Sequence, residues 1–448
     1  MRTRKAAMVL GGFAASVALI LSGCSPSPTT TQPAEDVTRA DIDKAMSTPT
    51  KLVYWTWVDG IQDSVDLFEE KYPDIDVEVV NLGSSTEQYP KLRAALQSGK
   101  GFPDVFQVGY DYLGSFLQTG SVLNLAPYGA EDLKDQYTAA AWNQVANEDG
   151  VWAIPQDSGP IGTLYREDIF ANAGLDAAPA TWADFTEAAR TIKSKTGSYI
   201  TNLPGNDMPQ WLSFLWQAGV KPFDYSGGTE VGIDLNSTGA QEVTAYWQDL
   251  VQNDLVSVDA DFTDEFYQGL SRGKYASWIV AAWGPLFLQG TVADTSGLWH
   301  ASEPPQWAAG ENVSGNWGGS TNAVTAPTEN PIAAYELAKF VNGDLKSTIH
   351  LANDLSLFPT TVETLESPDF TDAKSDFFNG QKVNEKFASI AGTVDPDFDF
   401  LPFMDYVNTA FNETLGAAIA SRGDMVGSLA DWQEKVATYA EQQGFTVK

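Results

Sequence analysis

Aromatic rings beside carboxylates recur along this 448-residue chain where strand-like runs give way to helix-like ones. Trp55, Trp57 and Asp59 close the first such run, Ser84 and Ser85 follow the second, and Tyr110 and Asp111 follow the third. Asn206, Asp207 and Trp211 come after a Pro204-Gly205 turn, and Trp317 stands in the glycine-rich stretch Asn316-Trp-Gly-Gly-Ser320. An indole or phenol can cover the apolar C–H face of a polyhydroxylated ring, while carboxylates, amides and hydroxyls take its rim. The mixture therefore suits non-covalent capture. Each position also has a plainer reading: core packing for Trp55 and Trp57, which share a side of a strand, and capping for Asp59, Ser84 and Asp207.

Other chemistries are poorly supplied. His300 and His350 have no second histidine or cysteine at ligand spacing, so no transition-metal site or cofactor is expected. Asp395-Pro-Asp-Phe-Asp399 begins like a calcium loop, but Phe400 replaces the required glycine and Tyr406 the terminal glutamate, leaving an acidic loop. Neither a G-x-S-x-G elbow nor a phosphate-cradling glycine loop occurs. A net charge of −33 argues against nucleic acid, which needs clustered Lys and Arg. The rival reading is a secreted glycoside hydrolase, since its machinery is a carboxylate pair and 59 acidic residues make a close pair unavoidable. A third reading keeps a binding protein but gives it a polyol or another non-sugar solute.

The elements that must position these residues alternate. Lys51–Trp57, Ile75–Val80 and Pro103–Val108 read as strands. Between them lie a helix carrying Ile61, Val65, Phe68 and Tyr72, and a second carrying Tyr89, Leu92 and Leu96 with Gly99 as its C-cap. Strand–helix alternation predicts a parallel α/β sheet. Farther on, Thr181 with Asp184 caps a helix bearing Trp182, Phe185, Ala188, Ala189 and Ile192. Thr238 and Gln241 are placed to cap another helix, and Asn330-Pro331 opens a third.

The first residues are of a different kind. Arg2, Arg4 and Lys5 precede an apolar run from Ala6 to Leu21 that is short for a membrane span but suits a secretory signal. The run ends in Leu21-Ser-Gly-Cys24, which resembles the lipobox of bacterial lipoproteins. That resemblance implies cleavage after residue 23 and a diacylglycerol anchor on Cys24, the only cysteine in the chain. Residues 24–50, rich in Ser, Thr, Pro and Gln, read as a flexible stalk, part of Asp36–Met46 being helical.

The order of phrases in the body resembles the family 1 extracellular solute-binding proteins, the maltose-binding-protein-like group, over roughly residues 51 to 440. The phrases are Leu52-Val-Tyr-Trp-Thr-Trp57; Phe102-Pro-Asp-Val-Phe-Gln-Val108 with Gly120-Ser-Val-Leu-Asn-Leu125; Ala153-Ile-Pro155; Leu164-Tyr-Arg-Glu-Asp-Ile-Phe170 with Thr181-Trp-Ala-Asp-Phe185; Gly273-Lys-Tyr-Ala276 leading to Trp283; and Gly318-Gly-Ser320. Arg166 and Ala281-Ala282 depart from the family pattern, which favours Asn at the first position and Gly at the second. The resemblance implies a two-lobed periplasmic-binding-protein-like α/β fold, each lobe a mainly parallel sheet flanked by helices, with the ligand in the cleft between. It divides the body into a first lobe of residues 51–157 and 300–350 and a second of 158–299 and 351–448, with crossings near Ile154–Gly159, Leu298–Pro304 and His350–Phe358. It adds Asp157, beside the first crossing, and Trp283 to the ligand-contact candidates. It further implies a non-enzymatic, monomeric carbohydrate carrier on the outer face of the cell membrane, serving the permease of an ABC importer.

Overall fold

The computed structural model describes residues 36–448, which form one compact unit; the signal segment and Cys24 lie outside the described residues. Their central feature is a seven-stranded sheet built from β1 (Thr50–Thr56), β2 (Ile75–Asn81), β3 (Val105–Gly109), β4 (Ile154–Arg166), β5 (Ser277–Ala281), β6 (Trp299–Ser302) and β7 (Asn316–Val324). The order is β6-β4-β7-β3-β1-β2, with β5 also on β4. β1 pairs in parallel with β2 and β3, as the strand–helix alternation predicts. The second lobe differs in detail: β4 meets β5 and β6 antiparallel, and parallel contacts there are short, the bridges Tyr199 to Tyr275, Asn202 to Ser257, Thr181 to Gln306 and Ser314 to Val394 and the two-residue pairing of Thr446–Val447 with Glu230–Val231.

β4 belongs to both halves. Ile154 to Pro160 pair with β7, and Ile161 to Arg166 pair with β5 and β6. Two hydrophobic cores flank this changeover. The first gathers side chains from Met46 to Ile154 and from Ala323 to Leu351; the second gathers Ile161 to Trp317 and Ala352 to Phe445. At the first and third expected crossings the chain runs side by side, Ser158 N–H donating to Phe358 O (3.0 Å) and Asp157 bridging to Pro359. The expected crossing at Leu298–Pro304 does not. That segment is β6, whose Trp299 and Ala301 sit in the second core, and the chain returns through β7 instead.

Local chemistry explains the helices. α1 (Arg39–Met46) carries a capping box from Thr38 to Asp41 and buries Met46 in the first core, so residues 38–50, expected in the stalk, belong to the folded body. α2 (Gln62–Lys71) buries Val65 and Phe68; α3 (Ser85–Ser98) ends at Gly99 with φ 67°; α4 (Tyr110–Gln118) follows β3 directly. α5 (Trp182–Thr196) buries all five residues of its expected face. In α7 (Thr238–Gln252) the cap is Ser237, one residue earlier than expected, because its hydroxyl accepts the Ala240 N–H. α6 (Met208–Gln217) and α8 (Gly284–Thr291) border the cleft, and α9 (Pro331–Gly343) covers the first sheet with proline at its first position. Arg166 is buried, gripping Asp168 through two 2.8 Å contacts and the carbonyls of Leu270 and Ser271, a role Asn could not fill.

Backbones approach very closely where β4 meets β7. The pairing is bulged between Asn316 and Gly319, and a Cβ on Gly159 would lie 1.9 Å from Trp317 O. Gly159→Ala is therefore expected to push the Trp317 loop away and cost about 1–3 kcal/mol or more. Thermal denaturation checks it; a melting temperature within about a degree of wild type would show that the loop yields freely.

Candidate functional site

The two cores leave a cleft where β3, β7 and α6 meet. A cavity of about 150 Å³ lies there, walled on one side by Tyr110 and Asp111 and on the other by Met208, Leu212, Trp216, Trp283 and Trp317. A wider space of about 560 Å³ shares Tyr110 and Phe400 with it. Neither is lined by Lys or Arg.

Each wall is set by its element. Tyr110 is the first residue of α4, so β3 fixes its start and the helix fixes its direction. The Tyr110 hydroxyl is buried and has no hydrogen-bond partner among the described residues. Asp111, in the same turn, has its carboxyl pushed up to about 7 by burial, with the Asp405 charge adding to the effect. Asp157 on β4 is pushed up to about 6 by burial, although it accepts hydrogen bonds from the Ser320 hydroxyl and backbone. Opposite, Trp283 leaves the fully buried β5 at the entrance to α8. Its ring meets Trp317 edge to face at 4.9 Å and 72°, and its Nε1–H donates to Trp317 O at 3.2 Å. Gly319 permits this: at φ 98° its hypothetical Cβ would fall 2.7 Å from the Tyr110 ring and 2.8 Å from Asp157 O.

Of the candidates read from the sequence, the cavity brings together Tyr110, Asp111, Trp283 and Trp317, with Asp157 behind them on β4. The others sit elsewhere. Trp55 and Trp57 are half-buried against the first core, Trp57 edge-on to Tyr89 at 5.9 Å. Asp59 is exposed and accepts from Asn81 Nδ2 at 2.6 Å rather than capping a helix. Ser84 caps α3 in a capping box with Glu87, Ser85 is that helix's first residue, and Asp207 caps α6 by accepting the Gln210 N–H at 2.8 Å. Trp211 is packed inside the second core and, unlike Leu212 and Trp216, does not line the cavity.

The missed residues have a simple signature. Met208, Leu212 and Trp216 recur every four residues along α6 and share its cleft face, whereas Trp211 is turned away by one residue. Trp216 is clamped by the acidic loop: it stacks on Phe398 at 4.2 Å and donates to Asp395 O at 2.8 Å. Asp395–Asp399 thus positions an aromatic residue, and Asp397 pairs with Lys221.

Residues 54–344 match the family of bacterial extracellular solute-binding proteins, and the chain belongs to that family. It is therefore a solute-binding protein and not a glycosidase. An arabinooligosaccharide-binding protein of Halalkalibacterium halodurans is 26% identical over 381 residues, 81% of this chain and 82% of its own. A lactose-binding protein of Rhizobium radiobacter is 24% identical over 82% of this chain and 88% of its own. Among solved structures, the ABC-transporter-associated binding protein of B. animalis subsp. lactis in complex with β-1,6-galactobiose superposes with a TM-score of 0.75 at 29% identity, covering 89% of this chain and all but 1% of its own.

One buried pair near the cleft makes a testable demand. Asp207 and Asp261 are both pushed above the ordinary carboxylate range by burial, Asp261 additionally by the charge of Asp207, and neither Asp261 carboxylate oxygen has a partner among the described residues. The folded protein thus holds protons that the unfolded chain releases. The associated stability is complete below the ordinary value of 3.8 and is lost as pH climbs towards and through neutrality. Asp261→Asn should therefore flatten the fall in melting temperature between mildly acidic and mildly alkaline pH. An unchanged slope in the variant would refute the shared burial as its cause.

Proposed function

We propose that this protein captures a neutral carbohydrate between its lobes and delivers it to the permease of an ABC importer. The observation carrying this reading is the cavity's make-up: the Trp283–Trp317 pair on one wall, and an unpartnered Tyr110 hydroxyl with the Asp111 carboxyl on the other. In this reading the indoles cover a C–H face of the sugar while Tyr110, Asp111 and Asn316 take its hydroxyls. A phosphate or carboxylate cargo is disfavoured because no Lys or Arg lines the cavity. The relatives that bind arabinooligosaccharides, lactose and β-1,6-galactobiose support the sugar reading. The lobes of this reading are residues 36–157 and 323–351 against residues 158–322 and 352–448, hinged where β4, β7 and the Phe358 segment run side by side.

Cys24 anchors the protein in this proposal, at the outer face of the cell membrane. Its support is the segment ending Leu21-Ser-Gly-Cys24, and among the described residues no helix is long and apolar enough to cross a membrane. Cys24→Ala should abolish acyl labelling and move the protein out of the membrane fraction; membrane retention without label would make the apolar segment the anchor instead.

Trp283 is expected to dominate affinity. Trp283→Ala should cost about 2 kcal/mol of binding or more, roughly 30-fold in Kd, read by intrinsic fluorescence during titration with mono- and oligosaccharides. A lowered melting temperature with near-normal affinity would reduce Trp283 to packing. Saturating sugar should also shrink the radius of gyration in small-angle scattering, because a ligand shifts the open–closed balance only by contacting both lobes.

A further inference from the structure

A chain of buried polar side chains crosses the first lobe's sheet and ends beside the cleft. Its members come from four adjacent strands: Thr56 on β1, Gln107 on β3, Ser320 on β7 and Asp157 on β4. Thr56, Gln107 and Ser320 are all buried. Chemistry fixes the direction of each bond. The Trp57 N–H, which can only donate, meets one end of the Gln107 amide at 3.2 Å, so that end is the oxygen Oε1. Oε1 also accepts the Thr56 hydroxyl at 2.7 Å. The Gln107 Nε2–H therefore faces β7 and donates to Ser320 Oγ at 2.8 Å. The Ser320 hydroxyl has a single proton. Gln156 Oε1, at 3.2 Å, and Asp157 Oδ1 both lie within its reach, and Asp157 is the closer. Every donor in the chain thus points towards Asp157. Such a chain suits an ionised carboxylate, because a protonated one would compete as a donor.

We propose that Gln107 and Ser320 are positioning residues for sugar capture: they hold the Asp157 carboxylate in its hydrogen-accepting form beside the Tyr110 hydroxyl, so that one ligand hydroxyl donates to Asp157 while it accepts from Tyr110. This rests on the sugar-binding reading of the cleft. Asp157 stands next to the cavity wall. A Cβ on Gly319 would touch both the Tyr110 ring and Asp157 O, at 2.7 and 2.8 Å, and the Asp157 charge reaches the buried Tyr110 hydroxyl, which has no partner of its own among the described residues. Among those residues only Oδ1 of Asp157 is engaged by another side chain, which leaves Oδ2 for a ligand. The titratable groups around Asp157 are few. Tyr110 on α4 and Tyr54 on β1 feel its charge, and burial keeps both phenols neutral; Asp111 is the next residue along α4. β3, β7 and the Phe358 segment present none. Burial pushes the Asp157 carboxyl up to about 6, hydrogen bonds from Ser320 oppose the rise, and no cation contributes. Hydrogen bonding must therefore do what a counter-charge does elsewhere.

The test is calorimetric titration with lactose, β-1,6-galactobiose and arabinooligosaccharides, repeated from mildly acidic to mildly alkaline pH. The proteins compared are the wild type, Ser320→Ala, Gln107→Glu, Gln107→Leu and Asp157→Asn, with a melting curve for each to confirm folding. Wild-type affinity should fall as pH drops through the Asp157 midpoint, because a protonated carboxyl accepts less well. Asp157→Asn should abolish that fall, which separates it from any titration of Asp111. Ser320→Ala removes the direct donor. Gln107→Glu turns the chain round, since the new carboxylate accepts the proton that Ser320 gave to Asp157. Both should move the acid fall upward by about one pH unit, roughly tenfold in Kd on the acid side. Gln107→Leu leaves Ser320 free to donate to Asp157 and should move it less. Equal movement in Gln107→Leu and Gln107→Glu would reduce Gln107 to packing. An unshifted acid limb in folded Ser320→Ala would overturn the positioning role, and this small change keeps the question open to experiment should the Gln107 variants fail to fold. A wild-type pH profile in Asp157→Asn would overturn it as well and leave the aromatic wall standing. If the wild-type protein binds none of these saccharides, the sugar reading itself falls and the positioning role with it.

Discussion

The pairing of β4 with β7 is the constraint on which the rest of this molecule depends. β4 crosses from one core to the other without a break, and β7 lies against it at the changeover. The contact is so close that Gly159 has no room for a side chain, and the bulge at Asn316–Gly319 turns Trp317 into the cleft. Trp317 in turn holds Trp283 by an edge-to-face contact and a hydrogen bond to its carbonyl. A backbone requirement at the hinge therefore sets the aromatic wall. The same strand presents Asp157 to Ser320, so both walls are referenced to one ladder. Side chains anchored this way lose little further freedom on binding, which is how preorganisation yields affinity.

The acidic character of the chain needs separate treatment from the acidity of the site. Most carboxylates are exposed and serve solubility. Asp111 and Asp157 differ because burial drives both towards neutrality, in a region without a cationic residue on the cavity wall. A buried carboxyl near its midpoint can accept from a hydroxyl when ionised and donate to one when protonated. That versatility fits a neutral polyhydroxylated ligand and works against an anionic one. No counter-charge is needed, and none lines the cavity.

Much of this was legible in the sequence, for reasons that can be located. The strands β1 to β3 and the faces of α2, α5 and α9 follow from apolar periodicity and capping, which are local properties. The place of Tyr110 and Asp111 on the cavity wall was legible because both follow directly on a strand end of an open α/β sheet. The errors come from tertiary facts. Trp211 and Trp216 lie on one amphipathic helix, and composition cannot say which face meets a cleft; only the four-residue spacing of Met208, Leu212 and Trp216 carried the hint. The resemblance put the return crossing at Leu298–Pro304, and only strand pairing separates that run from β7, which follows it after a loop.

The division of labour between the walls bears on how occupancy is signalled. Aromatic surface comes from the second core and the unpartnered hydroxyl and the carboxyl from the first side, so in the proposed function a ligand satisfied by both would favour a closed arrangement over an open one. The contacts already bridging the lobes are weak by comparison. Asn143 and Gln144 donate to the carbonyls of Pro396 and Phe398 at 3.2 and 2.6 Å, and Arg93 pairs with Asp405 at 3.1 Å with both side chains substantially exposed. An exposed ion pair is worth roughly 0–1 kcal/mol, and neutral hydrogen bonds exchange readily with water. In the proposed carrier, a hinge held by strand pairing and trimmed by weak contacts would leave the choice of shape to the ligand, so that shape could report cargo.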